Sequence, residues 1–154
     1  GAKGLRKGIQ EVFGKQALIQ RCQWHKRENV TAYLPKSQQG KFRKKLQKAY
    51  QQDSYKSAKK TLMTLRKELS LLNQSAVNSL DEGLEETLTL HRLRVFDHLG
   101  VSLKTTNAIE SIQASLRKVT RRRGAFPTVE SVRKVLYLAI QRVSAKWTRP
   151  IKDW

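Results

Sequence analysis

The sequence predicts a mainly α-helical chain, and two patterns carry that expectation. Tyr55, Ala58, Leu62, Leu65, Leu69 and Leu72 step by alternating threes and fours, the seam of a helix packed against other helices. Val129, Val132, Leu136, Ala139, Ile140, Val143 and Trp147 keep helical spacing for about five turns. One short β-like run, over residues 17–22, interrupts the helical signal near the start.

Taken in order, residues 4–13 place Leu5, Ile9, Val12 and Phe13 on one helical face, with Gly14 positioned to stop the helix. Residues 17–22 read as a short strand. Residues 26–34 read as a helix ended by Pro35, which cannot donate to the preceding turn. Residues 1–35 thus form an α-β-α piece. Residues 36–99 make a second block, a helical subdomain rich in Lys, Gln and Leu and almost free of strand signals. Residues 100–154 make the third. Its first helix begins near Asn107 and turns Ile109, Ile112, Leu116 and Val119 inward; its second follows Pro127, with Thr128 as N-cap and Glu130 in the first turn. There is no internal repeat and no low-complexity tract.

With 154 residues the chain can bury a core, but only 38% are apolar and 29% are charged, so that core comes from stripes on amphipathic elements. Thirty-two Lys and Arg face 12 Asp and Glu, a formal net charge of +20. Such an excess attracts polyanions through its long-range field and through counterion release, which makes nucleic acid the expected partner. No run reaches the roughly 18 apolar residues of a membrane span, and there is no secretory apolar region, so the expectation is a soluble intracellular protein. Asp81, Glu82, Glu85, Glu86 and Asp97 lie close together, a stretch expected to turn away from a polyanion. The single cysteine, Cys22, excludes an intrachain disulfide framework.

Three places could carry chemistry. Glu110 falls in the first turn of a helix, on a face shared with Gln113, Arg117 and Arg121. On spacing alone it has two readings, a capping-box acid three residues after an Asn107 N-cap or a functional carboxylate. The adjoining run Arg117, Lys118, Arg121, Arg122 and Arg123 is either a solvated face or a track for phosphates, and the overall charge favours the track. Cys22 and His25 have metal-ligand spacing, but a structural zinc wants four ligands and the other histidines are only His91 and His98. A packed cysteine beside a polar histidine is the simpler reading. Trp24 between them could stack on a base or fill a core. No Gly-rich phosphate loop and no nucleophilic serine motif is present, and a two-metal site needs several carboxylates where Glu110 has no obvious companions.

Three stretches together resemble the Mutator-type family of bacterial insertion-sequence transposases. They are Gln20-Arg21-Cys22-Gln23-Trp24-His25-Lys26-Arg27-Glu28-Asn29-Val30, Thr105-Thr106-Asn107-Ala108-Ile109-Glu110-Ser111 and Arg121-Arg122-Arg123-Gly124-Ala125-Phe126-Pro127. Trp147-Thr148-Arg149-Pro150-Ile151 follows them, so the resemblance runs along essentially the whole chain. It implies the C-terminal part of an RNase H-like α/β catalytic domain with an all-helical insertion, in which an Asp-Asp-Glu triad holds Mg²⁺ or Mn²⁺. By position Glu110 is the triad glutamate and a metal ligand, and Cys22 with His25 is the family's C-x-x-H signature, of unassigned role. The family's second aspartate stands directly before a Gly-Ala-x-x-Gly-Leu-like stretch. Here Gly1-Ala2-Lys3-Gly4-Leu5 opens the chain, so the expectation is a C-terminal fragment without both aspartates, inactive by itself. Gln113 stands where the family commonly has asparagine.

The resemblance further implies metal-dependent DNA strand cleavage and strand transfer in the intact protein, acting on element ends and target DNA. Arg117, Lys118, Arg121, Arg122 and Arg123 would position phosphates, the protein would assemble as a homo-oligomer on paired ends, and its place would be the bacterial cytoplasm at the nucleoid. The alternatives are a noncatalytic basic helical module that binds nucleic acid and an inactive truncated transposase.

Overall fold

The computed structural model describes residues 2–148, apart from the side chains of Ala2, Lys3 and Leu5. Arg149, Pro150 and Ile151 of the closing motif, and Leu5 of the first apolar face, lie outside the described residues. Among the described residues ten helices follow one another: α1 (Ala2–Phe13), α2 (Gln23–Ala32), α3 (Lys36–Tyr50), α4 (Tyr55–Ser70), α5 (Gln74–Asp81), α6 (Leu84–Thr87), α7 (Thr89–Arg92), α8 (Phe96–Leu103), α9 (Asn107–Arg123) and α10 (Val129–Ser144). Among the described residues there is no strand, so the chain is mainly α. It divides after Thr105 into two compact units.

In the first unit, α2 to α5 close a ring in which α2 packs against α3 and α5, and α4 packs against α3 and α5. Short connections make sequential helices neighbours, as in other bundles. The predicted seam is the core of this ring: Ala58, Leu62, Leu65 and Leu69 of α4 are buried with Val30, Phe42, Leu46, Ala76, Val77 and Leu80. Leu72 is exposed, because α4 ends at Ser70 and the helical period ends with it. Side chains cap two of these helices: Ser54 Oγ accepts from Ser57 N at 3.1 Å, and Asn73 Oδ1 from Ser75 N at 2.8 Å. Gly14, at φ 82°, ends α1 as expected. Val12 and Phe13 are exposed, so that part of the face predicted for α1 is not buried.

The strand expected over residues 17–22 does not form. The segment is held by side chains and by the α6–α7 turns instead of a ladder. Arg21 N donates to Glu86 O at 2.8 Å, Thr89 Oγ1 to Ile19 O at 2.7 Å, and Leu90 N to Gln20 Oε1 at 3.0 Å. Gln20 Nε2 and Gln23 Nε2 both reach Thr87 O, at 3.0 and 2.9 Å. A β-branched and aliphatic composition satisfied this way has no need of a neighbouring strand.

The acidic stretch 81–86 does not simply turn outward. Its acids are drawn into pairs that tie the unit together. Arg66 clamps Asp81 through contacts of 2.8 to 3.1 Å, Glu85 takes the Tyr55 hydroxyl and Lys59 at 2.7 Å each, and Arg6 reaches Glu86 at 2.7 Å. Lys26 is the buried member of the group, 4% exposed. Its ammonium donates to Ser79 O at 2.7 Å and to Glu82 O, the last carbonyls of α5 and its cap, and pairs with Glu82 Oε2 at 3.6 Å. A cation at a helix C-terminus meets both the dipole and the orphan carbonyls. Burial, then the neighbouring Arg21, hold the Lys26 pKa below the usual lysine value despite Glu82. Glu82 is pulled down in turn, first by Arg21 and then by Lys26. Gly83, at φ 71°, turns the chain here, and a Cβ would collide with the Arg21 guanidinium.

The second unit is a hairpin of α9 and α10. Thr128 caps α10 as predicted, in a capping box with Ser131: Ser131 N donates to Thr128 Oγ1 at 3.1 Å. Val135 and Ala139 are buried, whereas α9 buries no residue; Ile112, Leu116 and Val119 are half-buried and Ile109 is exposed. The inward stripe predicted for α9 is therefore only partly covered.

Three outcomes follow from this packing. Leu62→Ala, at the centre of the ring, is expected to cost about 2–5 kcal/mol in urea unfolding. Lys26→Met leaves the Ser79 and Glu82 carbonyls without their cation and is expected to cost about 1.5–3 kcal/mol, a figure that an unchanged midpoint would refute. His91 is buried, stacked on Phe96 at 3.8 Å, with neither ring nitrogen in a hydrogen bond of normal geometry. Burial holds its pKa below 6.5, outweighing the opposing pull of the Tyr50 and Gln52 backbone and of Asp97. Below 6.5 the unfolded chain then takes up a proton that the folded chain refuses, so stability falls as pH drops until the folded pKa is reached. The melting temperature should be lower at pH 5.5 than at pH 7.5, and His91→Phe should shrink that difference.

Candidate functional site

Helix α9 begins at Asn107 with Thr106 as the N-cap residue, one position earlier than a capping box built on Asn107 requires. No side chain caps its backbone. The Thr106 hydroxyl instead donates to Glu110 Oε1 at 2.7 Å, while Glu110 N donates to Thr106 O at 2.9 Å. The capping box on an Asn107 N-cap does not form, because Asn107 is already the first residue of the helix; the Glu110 carboxylate engages the Thr106 hydroxyl one turn back.

Glu110 is exposed, and with Gln113, Ala114, Arg117, Lys118 and Arg121 it lines a shallow depression of about 340 Å³ along one face of α9. At about 100° per residue, positions 110, 113, 114, 117 and 121 fall within a sector of about 100°. One carboxylate therefore sits at the N-terminal end of a groove whose other charges are Arg117, Lys118 and Arg121. Arg122 and Arg123 are exposed in the last turn but do not line the groove. With Arg121 they also complement the negative end of the helix dipole, which is a structural reason for cations there. None of these five cations makes an ion pair among the described residues.

The donor set does not amount to a metal centre. Among the described residues no group of three His, Cys, Asp or Glu could hold an ion, and the groove offers one carboxylate beside three cations. Further carboxylates would be needed before a divalent cation could bind there.

Cys22 and His25 do meet. Cys22 is the N-cap of α2; its Sγ accepts from His25 N at 3.5 Å and lies 3.1 Å from His25 Nδ1. Trp24 is exposed and stands edge-on to the His25 ring, with centroids 4.8 Å apart, so it fills no core. The motif thus starts α2, the helix whose next residue, Lys26, anchors α5. Sequence reasoning missed Thr106 as the partner of Glu110, although a hydroxyl four residues before an acid on a helix is a readable signal. Nothing in the sequence marked Lys26, which looks like any other lysine in a basic chain.

Comparison with known proteins agrees with the motifs. The sequence model described as transposase, Mutator family, matches residues 1–150. The transposase for insertion sequence element IST2 of Acidithiobacillus ferrooxidans is 28% identical over 147 residues, 96% of this chain and 49% of that protein. The transposase for insertion sequence element IS6120 of Mycolicibacterium smegmatis is 29% identical over 150 residues, 96% of this chain and 45% of that protein. Over a shorter stretch of 50 residues, 32% of this chain and 12% of the relative, a probable transposase for an ISRM3-like element of Sinorhizobium fredii is 42% identical. The chain spans about half the length of the curated relatives it matches end to end. With the motifs and a match over residues 1–150 in agreement, the chain belongs to the Mutator family of transposases.

Proposed function

We propose that this chain provides the glutamate-bearing part of an insertion-sequence transposase, with Glu110 as the third member of an Asp-Asp-Glu triad. The observation that carries the reading is the α9 groove, where an acid of the family's motif stands beside Arg117, Lys118 and Arg121. The relatives are about twice as long as this chain, and the two aspartates are assigned to the part of the protein that the chain does not span. Together the three carboxylates would hold Mg²⁺ or Mn²⁺, which when bound supplies Lewis acidity and an activated water for phosphoryl transfer. The chain's own share is to present one carboxylate, oriented by the Thr106 hydroxyl, and to hold the DNA backbone against the groove through Arg117, Lys118 and Arg121. The RNase H-like α/β core belongs to the same proposal, because the described residues contribute helices to it and no strand.

A noncatalytic nucleic-acid-binding module is the second reading, favoured by the lack of a metal-holding cluster among the described residues. The two part over divalent cations. In the chain joined to the amino-terminal half of a full-length relative, Glu110→Gln should lower strand cleavage by more than about 100-fold, beyond the range for losing an outer-shell partner of a metal. DNA binding measured in chelator should be unchanged by that substitution. Normal cleavage and joining by the variant would remove Glu110 from the triad. In the chain by itself, replacing Arg117, Lys118 and Arg121 with Gln should flatten the plot of log affinity against log salt by about 0.9 for each phosphate no longer neutralised.

A further inference from the structure

Cations crowd α3 and α4, and the ring of ion pairs does not use most of them. Arg43 pairs with Glu28, Lys45 with Glu68, Lys59 with Glu85 and Arg66 with Asp81. Lys41, Lys44 and Lys48 of α3, and Lys56, Lys60 and Lys67 of α4, are all exposed and make no ion pair among the described residues. Each set forms a stripe. At about 100° per residue, Lys41, Lys44 and Lys48 fall within about 60° of one another, opposite buried Phe42 and Leu46, and Lys56, Lys60 and Lys67 fall within about 40°, opposite buried Leu62 and Leu65.

The ion pairs show where the stripes run. Lys45 reaches Glu68 across the groove between α3 and α4, while Arg43 reaches Glu28 of α2 on the other side of α3. Lys41 is about 40° from Lys45 on the helix, so the α3 stripe leans toward α4; the α4 stripe lies about 100° from Glu68 and about 100° from Arg66, which reaches Asp81 of α5, and so faces outward. Local stability accounts for two of the six: Lys48 and Lys67 stand in the last turns of α3 and α4, where the dipole favours a cation. Lys41, Lys44 and Lys60 stand in mid-helix, and Lys56 stands in the first turn of α4, where the dipole disfavours positive charge. Meanwhile the acids Asp81, Glu82, Glu85 and Glu86 are neutralised by partners elsewhere in the unit. The result is a surface of segregated, uncompensated positive charge.

We propose that the α3–α4 hairpin is a second DNA-backbone contact surface, which grips duplex DNA through the two lysine stripes and lies on different helices from the α9 groove. Lysines on flexible stems act as point charges that follow phosphates without reading bases. The stripes extend about 10 Å and 16 Å along their helices at 1.5 Å per residue, enough to meet several phosphates. This inference rests on the reading that DNA is the partner of the chain, but not on Glu110 or on metal.

The test is fluorescence anisotropy of the full chain with a labelled duplex of arbitrary sequence, in chelator, across a salt series. Lys41, Lys44 and Lys48 are changed to Gln in one variant, Lys56, Lys60 and Lys67 in a second. A control variant changes Lys15, Lys134 and Lys146, which removes the same charge elsewhere. Circular dichroism confirms helicity, which these exposed positions should leave intact. Each stripe variant is expected to weaken binding at least about tenfold and to lower the salt slope by about 0.9 per phosphate released, with the control slope unchanged. Stripe variants that match the control would overturn the inference. A change confined to the Arg117, Lys118 and Arg121 variant would also overturn it while leaving the proposed function standing. Preference of the wild-type chain for anionic phospholipid vesicles over the duplex would likewise sink it.

Discussion

The first unit depends on how one buried ammonium is satisfied. Lys26 leaves water to cap α5, and the cost of burying a charge is offset only because the Ser79 and Glu82 carbonyls, which α5 cannot use itself, converge on it. That contact joins α2 to α5 and so closes the ring that α3 and α4 complete. Arg21 works on the same turn from the outside, donating to Glu82 O at 3.0 Å and pairing with Glu86 at 3.6 Å. Gly83 leaves it room. The hydrophobic core is non-directional, whereas the Lys26 contacts fix one end of α5 against α2 through defined donors and acceptors.

Electrostatics divide the molecule's charges by role. The acids of the first unit, Asp53 and Asp97 apart, are paired with cations, so they act on the fold and little on the surroundings. Tyr50, whose hydroxyl burial pushes up to about 12 against a smaller opposing effect of Thr87, and the neutral His91 add polar groups that stay uncharged at neutral pH. What the surface shows to a partner is therefore mostly lysine and arginine. On α9 the Glu110 carboxylate lies among cations, beside Arg117, Lys118 and Arg121.

How much of this was legible follows from the range of each interaction. Periodicity found α4 and its buried Ala58, Leu62, Leu65 and Leu69, because a helix seam repeats within a few residues. Thr128 and Gly14 were readable for the same reason: caps and stops are local. Residues 17–22 misled, since their composition suits a strand while their partners, Glu86, Thr87, Thr89 and Leu90, are far along the chain. Lys26 was invisible on the same grounds. Of the site, the shared face of Glu110, Arg117 and Arg121 was readable from spacing, and the Thr106 hydroxyl was missed through attention to Asn107; Arg122 and Arg123, expected on charge and adjacency to position phosphates, do not line the groove.

Helix α9 buries none of its residues, and that has a cost for any chemistry placed on it. Segments with little buried apolar packing open locally at little free energy, whereas a reacting carboxylate must be held within about 0.5 Å of its working position. Under the proposed role of Glu110, the rigidity the acid would need is not supplied by buried packing within α9 and would come from whatever the helix is laid against. Such a partner would be thermodynamically linked to the competence of the acid: ordering α9 would shift the population toward the state able to react, and the ordered state would bind that partner more tightly in return.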